Sequence, residues 1–463
     1  MARIRGYRRK SNYKGFVVTL FVVAIIALLY FASRSDIFEK VPPKILIPQD
    51  LRFWNPKTPI PISFEDSSAI KSYSIVAVRE NGERLIDIQE VVLDKPKEVK
   101  ITLPIPEGKL IDGEKIIYEI AVTDWSNANF FSGNTTTRQI HLDIDTTPPK
   151  VDLLASSYAI NYGGSALVVF KAQEKNLKKL VFSNGFDEFV PFPYIAKDYY
   201  AVLVAWPVKN NSFSPTIIAT DLADNQTQYR VGIVKRLKAY RDSTLKIQDK
   251  YFEKIDAMLW ENAPQEKFES QASKFKYLNE TIRAKDEKKI FEASNDFTPH
   301  LITHPIAFER FYPLKGGMVV GHFADSRHYF YKEQNISNSF HLGLDLASVR
   351  NAPIIASNDG VVVLEQKLGI YGNTIIVYHD LGMASLYSHI SEFRARLGES
   401  VKEGAVLANT GSTGWAFGDH LHFSVLIQGH FVSLAEWMDS KWIQSNITSV
   451  FQKAQKTILR EQR

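Results

Sequence analysis

The sequence contains no cysteine. Disulfides, thiolate nucleophiles and every cysteine-based metal site are therefore excluded, and so is a lipoprotein anchor. Any metal site must be made from histidines and carboxylates. Net charge is also scarce once the N-terminus is set aside. The whole chain carries +5, yet Arg3, Arg5, Arg8, Arg9, Lys10 and Lys14 lie within residues 1–14 without one acid among them. The body of the chain is close to neutral, which argues against the basic footprint of a nucleic-acid-binding protein. An apolar fraction of 45% and a charged fraction of 23% are ordinary for globular protein, and 463 residues leave room for about three domains.

The basic cluster is followed by residues 15–32, GFVVTLFVVAIIALLYFA, without a charge. At about 1.5 Å per residue such a helix spans roughly 27 Å, enough for a bilayer core. Positive charge ahead of it predicts a cytoplasmic tail over 1–14, a single-pass anchor over 15–32 and the remainder on the far side of the membrane. A cleaved signal peptide is the competing reading. The apolar run is longer than a usual signal core, and Phe31-Ala32-Ser33-Arg34 is a poor cleavage site.

Residues 33–44 read as a linker, and 45–236 are strand-like, with apolar runs separated by Gly, Pro, Asn and Asp turns. Pro148 and Pro149 mark a boundary, because paired prolines stiffen a linker and cannot pair inside a sheet. Thr123-Asp124-Trp125-Ser126-Asn127 on one side and Thr220-Asp221-Leu222-Ala223-Asp224-Asn225 on the other form a weak repeat. Two β-sandwiches are expected, 45–147 and 148–236, resembling tandem immunoglobulin-like domains of bacterial envelope proteins. Residues 237–297 carry apolar positions at helical spacing and are expected as a helical linker, split at Pro264. From 298 to 446 strands return, and 447–463 read as a tail. The fold class expected is mainly β.

Ten of the eleven histidines lie between His300 and His430. Two patterns among them carry chemistry. His341-Leu342-Gly343-Leu344-Asp345 places an imidazole and a carboxylate four residues apart. Asp419-His420-Leu421-His422-Phe423 begins an apolar strand, where residues i and i+2 face the same way, so His420 and His422 project together. A further histidine, His389, follows Leu386-Tyr387-Ser388 on another strand. Two imidazoles and a carboxylate form a usual catalytic zinc set that leaves a fourth position open. Tyr387, two residues before His389, is expected on the same face, where it either packs or helps to bind substrate. Arg327 is a second candidate at the groove edge.

Residues 311–439 resemble the catalytic domain of lysostaphin-type (LytM-like) endopeptidases. The resemblance rests on the stretches just named together with Phe311-Tyr312-Pro313-Leu314, Ala356-Ser357-Asn358-Asp359-Gly360-Val361-Val362, Tyr371-Gly372-Asn373-Thr374 and Gly411-Ser412-Thr413-Gly414. It implies a C-terminal β domain with an open groove, holding one Zn2+ through His341, Asp345 and His422. His389 and His420 would flank the reacting carbonyl as catalytic residues. The implied reaction is hydrolysis of peptide cross-links in peptidoglycan stems. Together with the anchor and its basic flank, this reading places the protein in a bacterial inner membrane with the catalytic domain periplasmic. An envelope protein partner is a separate expectation for the β or helical segments, which lie outside the resemblance. The alternative is a catalytically weak regulator that activates or positions another murein hydrolase; all five site residues are present, whereas such regulators lack several. A biotinyl or lipoyl carrier fits the hairpin rhythm of 398–411 but needs an exposed lysine motif that is missing. One departure from the family is Val432-Ser433-Leu434, where relatives commonly have Asn-Pro.

Overall fold

The computed structural model describes residues 13–33, 38–48 and 51–462. The basic tail expected over 1–14 lies outside the described residues except for Tyr13 and Lys14. Tyr13–Ser33 forms one α-helix. Its stretch Tyr13–Phe31 has mean hydropathy 2.4 and no buried side chain, and is long and apolar enough to cross a membrane. A helix suits that medium because it satisfies its own backbone polar groups.

The chain divides into two compact units, residues 1–148 with 221–225, and residues 149–220 with 226–463. In the first, Phe53–Trp54, Thr135–Ile144, Lys115–Asp124, Ile70–Arg79 and Arg84–Val91 form a five-stranded sheet in that order. Lys44–Leu46, Pro61–Glu65 and Glu98–Thr102 form a second sheet. Strict alternation along Lys115–Asp124 buries Ile116, Tyr118, Ile120 and Val122, each contributing about 1.5–3 kcal/mol by leaving water.

The second unit begins with a sandwich of two four-stranded sheets, one containing Lys150–Ser156, Ser165–Gln173 and Tyr199–Ala205, the other Leu177–Ser183, Thr216–Asp221 and Gln226–Arg230. Ser165–Gln173 is buried on both faces over most of its length. The C-terminal helix Ser449–Glu461 contacts this strand and Lys150–Ser156, burying Val450, Phe451, Ala454 and Ile458. The tail expected over 447–463 is thus corrected: apolar residues at 450, 454 and 458 recur at helical spacing and form a packing stripe.

The histidine-rich region is an antiparallel sheet ordered Met318–Gly321, Leu344–Ala347, Leu421–Ile427, Met383–Ser388, Gly372–Asp380, Gly360–Leu368 and Ser400–Val401. Its central strand, Leu421–Ile427, is buried at every position. One continuous hydrophobic core runs through the second sandwich, the helical segment and this sheet. Polar contacts join them as well. Trp437 Nε1 donates to Ser165 Oγ at 3.0 Å, and the Gln428 side chain bonds both backbone groups of Val190, at 2.8 and 3.0 Å.

Between them lie helices Phe252–Asn262, Gln271–Lys276 and Arg283–Asn295, the last two joined through the wider turns of Tyr277–Ile282. The first stops two residues before Pro264, where the ring would clash with the preceding turn. Ser270 and Ser273 close a capping box at the start of the second. The expectation of a helical linker from 237 onward is corrected at its start. Asp242–Lys246 is a strand, paired parallel with Ser326–Tyr331; the helical periodicity begins only with the following residues.

Candidate metal centre and active-site cleft

The antiparallel register sets Asp345 directly opposite His422 on neighbouring strands, so the two side chains share a face. His341 reaches the same point from the turn before Leu344–Ala347. Its backbone is clamped on both sides, with Ala324 N donating to His341 O at 2.7 Å and His341 N donating to Asp325 O at 3.0 Å. The three donor atoms converge. His341 Nε2 lies 3.0 Å from Asp345 Oδ1 and 3.0 Å from His422 Nδ1, and His422 Nδ1 lies 2.9 Å from Asp345 Oδ1. A tetrahedral zinc with bonds of about 2.0–2.1 Å places its ligand atoms about 3.3 Å apart. The donor set fits that ion.

Each ligand is oriented by a partner on its far side. His341 Nδ1 donates to the His322 carbonyl at 2.8 Å, leaving Nε2 with its lone pair toward the centre. The Ser424 hydroxyl donates to Leu342 O at 3.0 Å, so its oxygen accepts from His422 Nε2 at 3.3 Å, leaving His422 Nδ1 as the ligand atom. Arg327 donates to Asp325 Oδ2 at 3.2 Å and its guanidinium stands 3.7 Å from Asp345 Oδ2. Burial opposes ionisation of Asp345, but the His341 and His422 imidazoles hold its carboxyl well below the usual range. Burial lowers His422 to about 4. An ionised carboxylate and a neutral imidazole are the forms that bind metal. Close approach also dictates two glycines. A Cβ on Gly343 would meet His422 Cε1 and Nε2 at 2.5 Å, and one on Gly321 would collide with the Asp345 carboxylate.

His389 and His420 stand beside this centre with ring centroids 4.9 Å apart, and His389 is 5.7 Å from the His422 ring. His389 Nδ1 donates to Thr413 O at 2.8 Å and His420 Nδ1 to Gly418 O at 2.8 Å. Both imidazoles therefore keep a free Nε2 lone pair, and that of His420 is 3.7 Å from Asp345 Oδ1. Burial, followed by the neighbouring His422 and His420, holds His389 well below its ordinary value, in the neutral form. His389 adopts φ +61°, a conformation that costs a non-glycine residue energy and is concentrated at functional sites.

That same backbone corrects the expected shared face of Tyr387 and His389 and favours packing for Tyr387. The strand ends at Ser388, so alternation does not carry through to His389. Tyr387 is fully buried, packs on Phe423 and accepts a hydrogen bond from Ser385 Oγ at 2.9 Å. Arg327 does line the cleft, but its guanidinium is turned onto Asp325 and Asp345. His379 is buried away from the centre, bonding Asp359 O and Ser385 Oγ at 2.8 and 2.6 Å. Asp419 accepts from Asn351 N and Thr410 Oγ1 and faces away from the metal ligands.

The centre opens into a cleft of about 630 Å³. Asp242–Lys246, Tyr251 and Arg283 contribute to its walls, together with Tyr371, Trp415 and Phe417. None of the first group was singled out as a site residue from the sequence, since a strand and a helix more than 50 residues upstream of the clustered His341, His389, His420 and His422 give no local sign of facing them. Tyr371 presents its ring edge-on to His422 at 5.4 Å, and its carbonyl accepts from His389 N at 2.9 Å. The turn that carries it is held by buried Asp286, which accepts from Gly369 N at 2.9 Å and Ile370 N at 2.7 Å.

Residues 339–434 match Peptidase family M23. Over 93 residues the chain is 39% identical to the DD-carboxypeptidase/endopeptidase Mpg of Neisseria meningitidis serogroup B, covering 20% of this chain and 21% of that protein. Over 113 residues it is 32% identical to the peptidoglycan DD-endopeptidase ShyB of Vibrio cholerae, covering 24% and 26%. These matches span about a fifth to a quarter of each relative's length. A solved structure of a protein described as a peptidase M23 from Pseudomonas aeruginosa aligns with 59% of this chain and 92% of its own, at 20% identity and a TM-score of 0.36. The C-terminal region of this chain, which carries the histidine–aspartate–histidine cluster, is a peptidase family M23 domain.

Proposed function

We propose that the protein is a zinc-dependent endopeptidase that hydrolyses peptide cross-links of peptidoglycan. In this reading its N-terminal helix anchors it in a bacterial inner membrane, with the cleft on the periplasmic side. The observation that carries the reading is the convergence of three ligand atoms beside two imidazoles whose Nε2 atoms are free. When bound, zinc supplies Lewis-acid polarisation of a carbonyl and brings the pKa of water to about 7.

The chain's own residues account for the rest. His341, Asp345 and His422 hold the ion, and Arg327 holds the second oxygen of Asp345 in place. A neutral imidazole with a free Nε2 accepts the proton as water adds to the scissile carbonyl carbon. As the C–N bond breaks, that proton passes to the departing amine nitrogen. The other imidazole takes a proton from solvent at Nε2, donates it in a hydrogen bond to the charged carbonyl oxygen, and returns it to solvent after the carbonyl re-forms. The backbone bonds to Thr413 O and Gly418 O keep both rings aimed while this happens.

The test is digestion of purified sacculi by the full chain in detergent, with and without a chelator. Release of cross-linked dimers as monomers, abolished by chelation and restored by zinc, is the expected result. A zinc-loaded, folded protein that leaves every cross-link intact would overturn the proposal.

A further inference from the structure

Arg283 lies outside the family-matched residues 339–434, yet it lines the same cleft as His341, Asp345, His389, His420 and His422. Its guanidinium is fixed along one edge. Nε donates to Asn279 O at 3.1 Å and to Asn279 Oδ1 at 3.2 Å, and Nη2 donates to Oδ1 at 2.7 Å. Asn279 is itself buried and donates to Ser337 Oγ at 2.8 Å, while Ser337 donates to Glu280 Oε1 at 2.9 Å. Tyr371, whose ring stands edge-on to His422, lines the same cleft as Arg283.

All these direct partners are neutral. Among the described residues no carboxylate stands within ion-pairing distance of Arg283. Among the other cleft charges Arg327 is paired with Asp325 and Asp345, Lys246 with Glu333 and Asp242 with His328. Arg241, the other cation of the lining without an ion pair among the described residues, is exposed to solvent rather than held. Arg283 is therefore a half-buried cation, held in one orientation and without an ion pair among the described residues; Glu287, one turn along the helix, is paired with Lys209 at 2.8 Å. A guanidinium so placed suits a carboxylate, which it can receive through two parallel N–H groups.

We propose that Arg283 is a specificity-determining residue that receives a free carboxylate of the substrate peptide beside the scissile bond. The inference rests on the peptidase reading above and narrows it, because an uncharged glycine bridge offers no such group.

Two synthetic cross-linked stem peptides provide the test, one with a free carboxylate next to the cross-link and one with a carboxamide at that position. Both are digested by the zinc-loaded full chain. Wild type is expected to prefer the carboxylate. R283Q is expected to lose about 10–100-fold in kcat/KM on the carboxylate, mostly through KM, and little on the amide, the range of a hydrogen-bonded charge. R283K, which keeps charge without the fork, is expected to fall between. Equal loss on both peptides would make Arg283 a brace for Asn279 and overturn the proposal. So would a wild type indifferent to the amide. A wild type that holds zinc and cleaves neither peptide would instead overturn the peptidase reading, and this one with it.

Discussion

At the floor of the cleft, the side chains of His341 and His422 are 6% and 5% exposed, and each is fixed by a partner on its far side. On the walls, Lys246 and Phe417 are exposed and Arg283 is half-buried. The floor lies wholly within the family-matched residues, whereas one wall comes from 242–251 and 283, far upstream. Metal binding and proton transfer need atoms fixed to fractions of an ångström, which buried strands in register provide. Substrate choice needs accessible groups, and here the accessible groups of the cleft come from elements that pack beside the sheet. The comparison teaches that the buried cluster and the accessible wall of this cleft have separate structural origins.

The largest effect expected is at the floor. His422→Ala or Asp345→Ala should lose zinc and activity together and melt lower, since metal binding contributes folding free energy. Zinc stoichiometry measured beside rate checks this, and retention of zinc by His422→Ala would break the ligand assignment. Next comes His389→Ala, expected to keep zinc and lose about 10²–10⁴-fold in turnover. Loss of metal there would erase the distinction between holding the ion and moving the proton. Asp286→Ala sharpens the boundary between floor and wall. It leaves the Gly369 and Ile370 N–H groups buried without acceptors, at about 1–3 kcal/mol each, and frees the turn that carries Tyr371. Zinc should stay, the melting temperature should fall, and kcat/KM should drop by about tenfold through misplacement.

The smallest effect is visible only as a pH slope. Glu436 accepts from Asn161 Nδ2 at 2.7 Å and Ser165 N at 3.1 Å, joining the peptidase domain to the sandwich, and burial raises it from 4.5 to about 7. The folded state thus holds its proton more tightly than the unfolded chain. Its contribution is complete below about pH 4.5 and is lost as pH rises through about 7, on the order of 3 kcal/mol in all. Glu436→Gln, which resembles the protonated form, should remove that slope. Urea unfolding of both proteins across pH 4.5–8 measures it, and parallel curves would show that Glu436 stays ionised in the fold.

Much of the floor was legible because its signals are local. The HxxxD and HxH spacings lie on single strands or turns, where side-chain direction follows parity. The same parity argument misled at Tyr387, since it assumes an unbroken strand and His389 has left-handed φ. The partners of the ligands were not legible. The His322 carbonyl has no side-chain signature, and Ser424 is one of many serines. Gly321 and Gly343 are explained only by what a Cβ would strike. Nor did the sequence reveal that residues 298–446 share one core with 149–236 and the C-terminal helix.

By itself, then, the sequence determined which chemistry is available. Without cysteine the metal set had to be histidine and carboxylate, and strand periodicity determined that His420 and His422 emerge together. Only the tertiary structure decided that Asp345 sits opposite His422, that Asp286 holds the turn carrying Tyr371, and that Arg283 overlooks the same cleft. Those relations join residues about 60 to 140 positions apart. They depend on sheet register and on burial shared between distant segments, neither of which a local pattern of residues encodes.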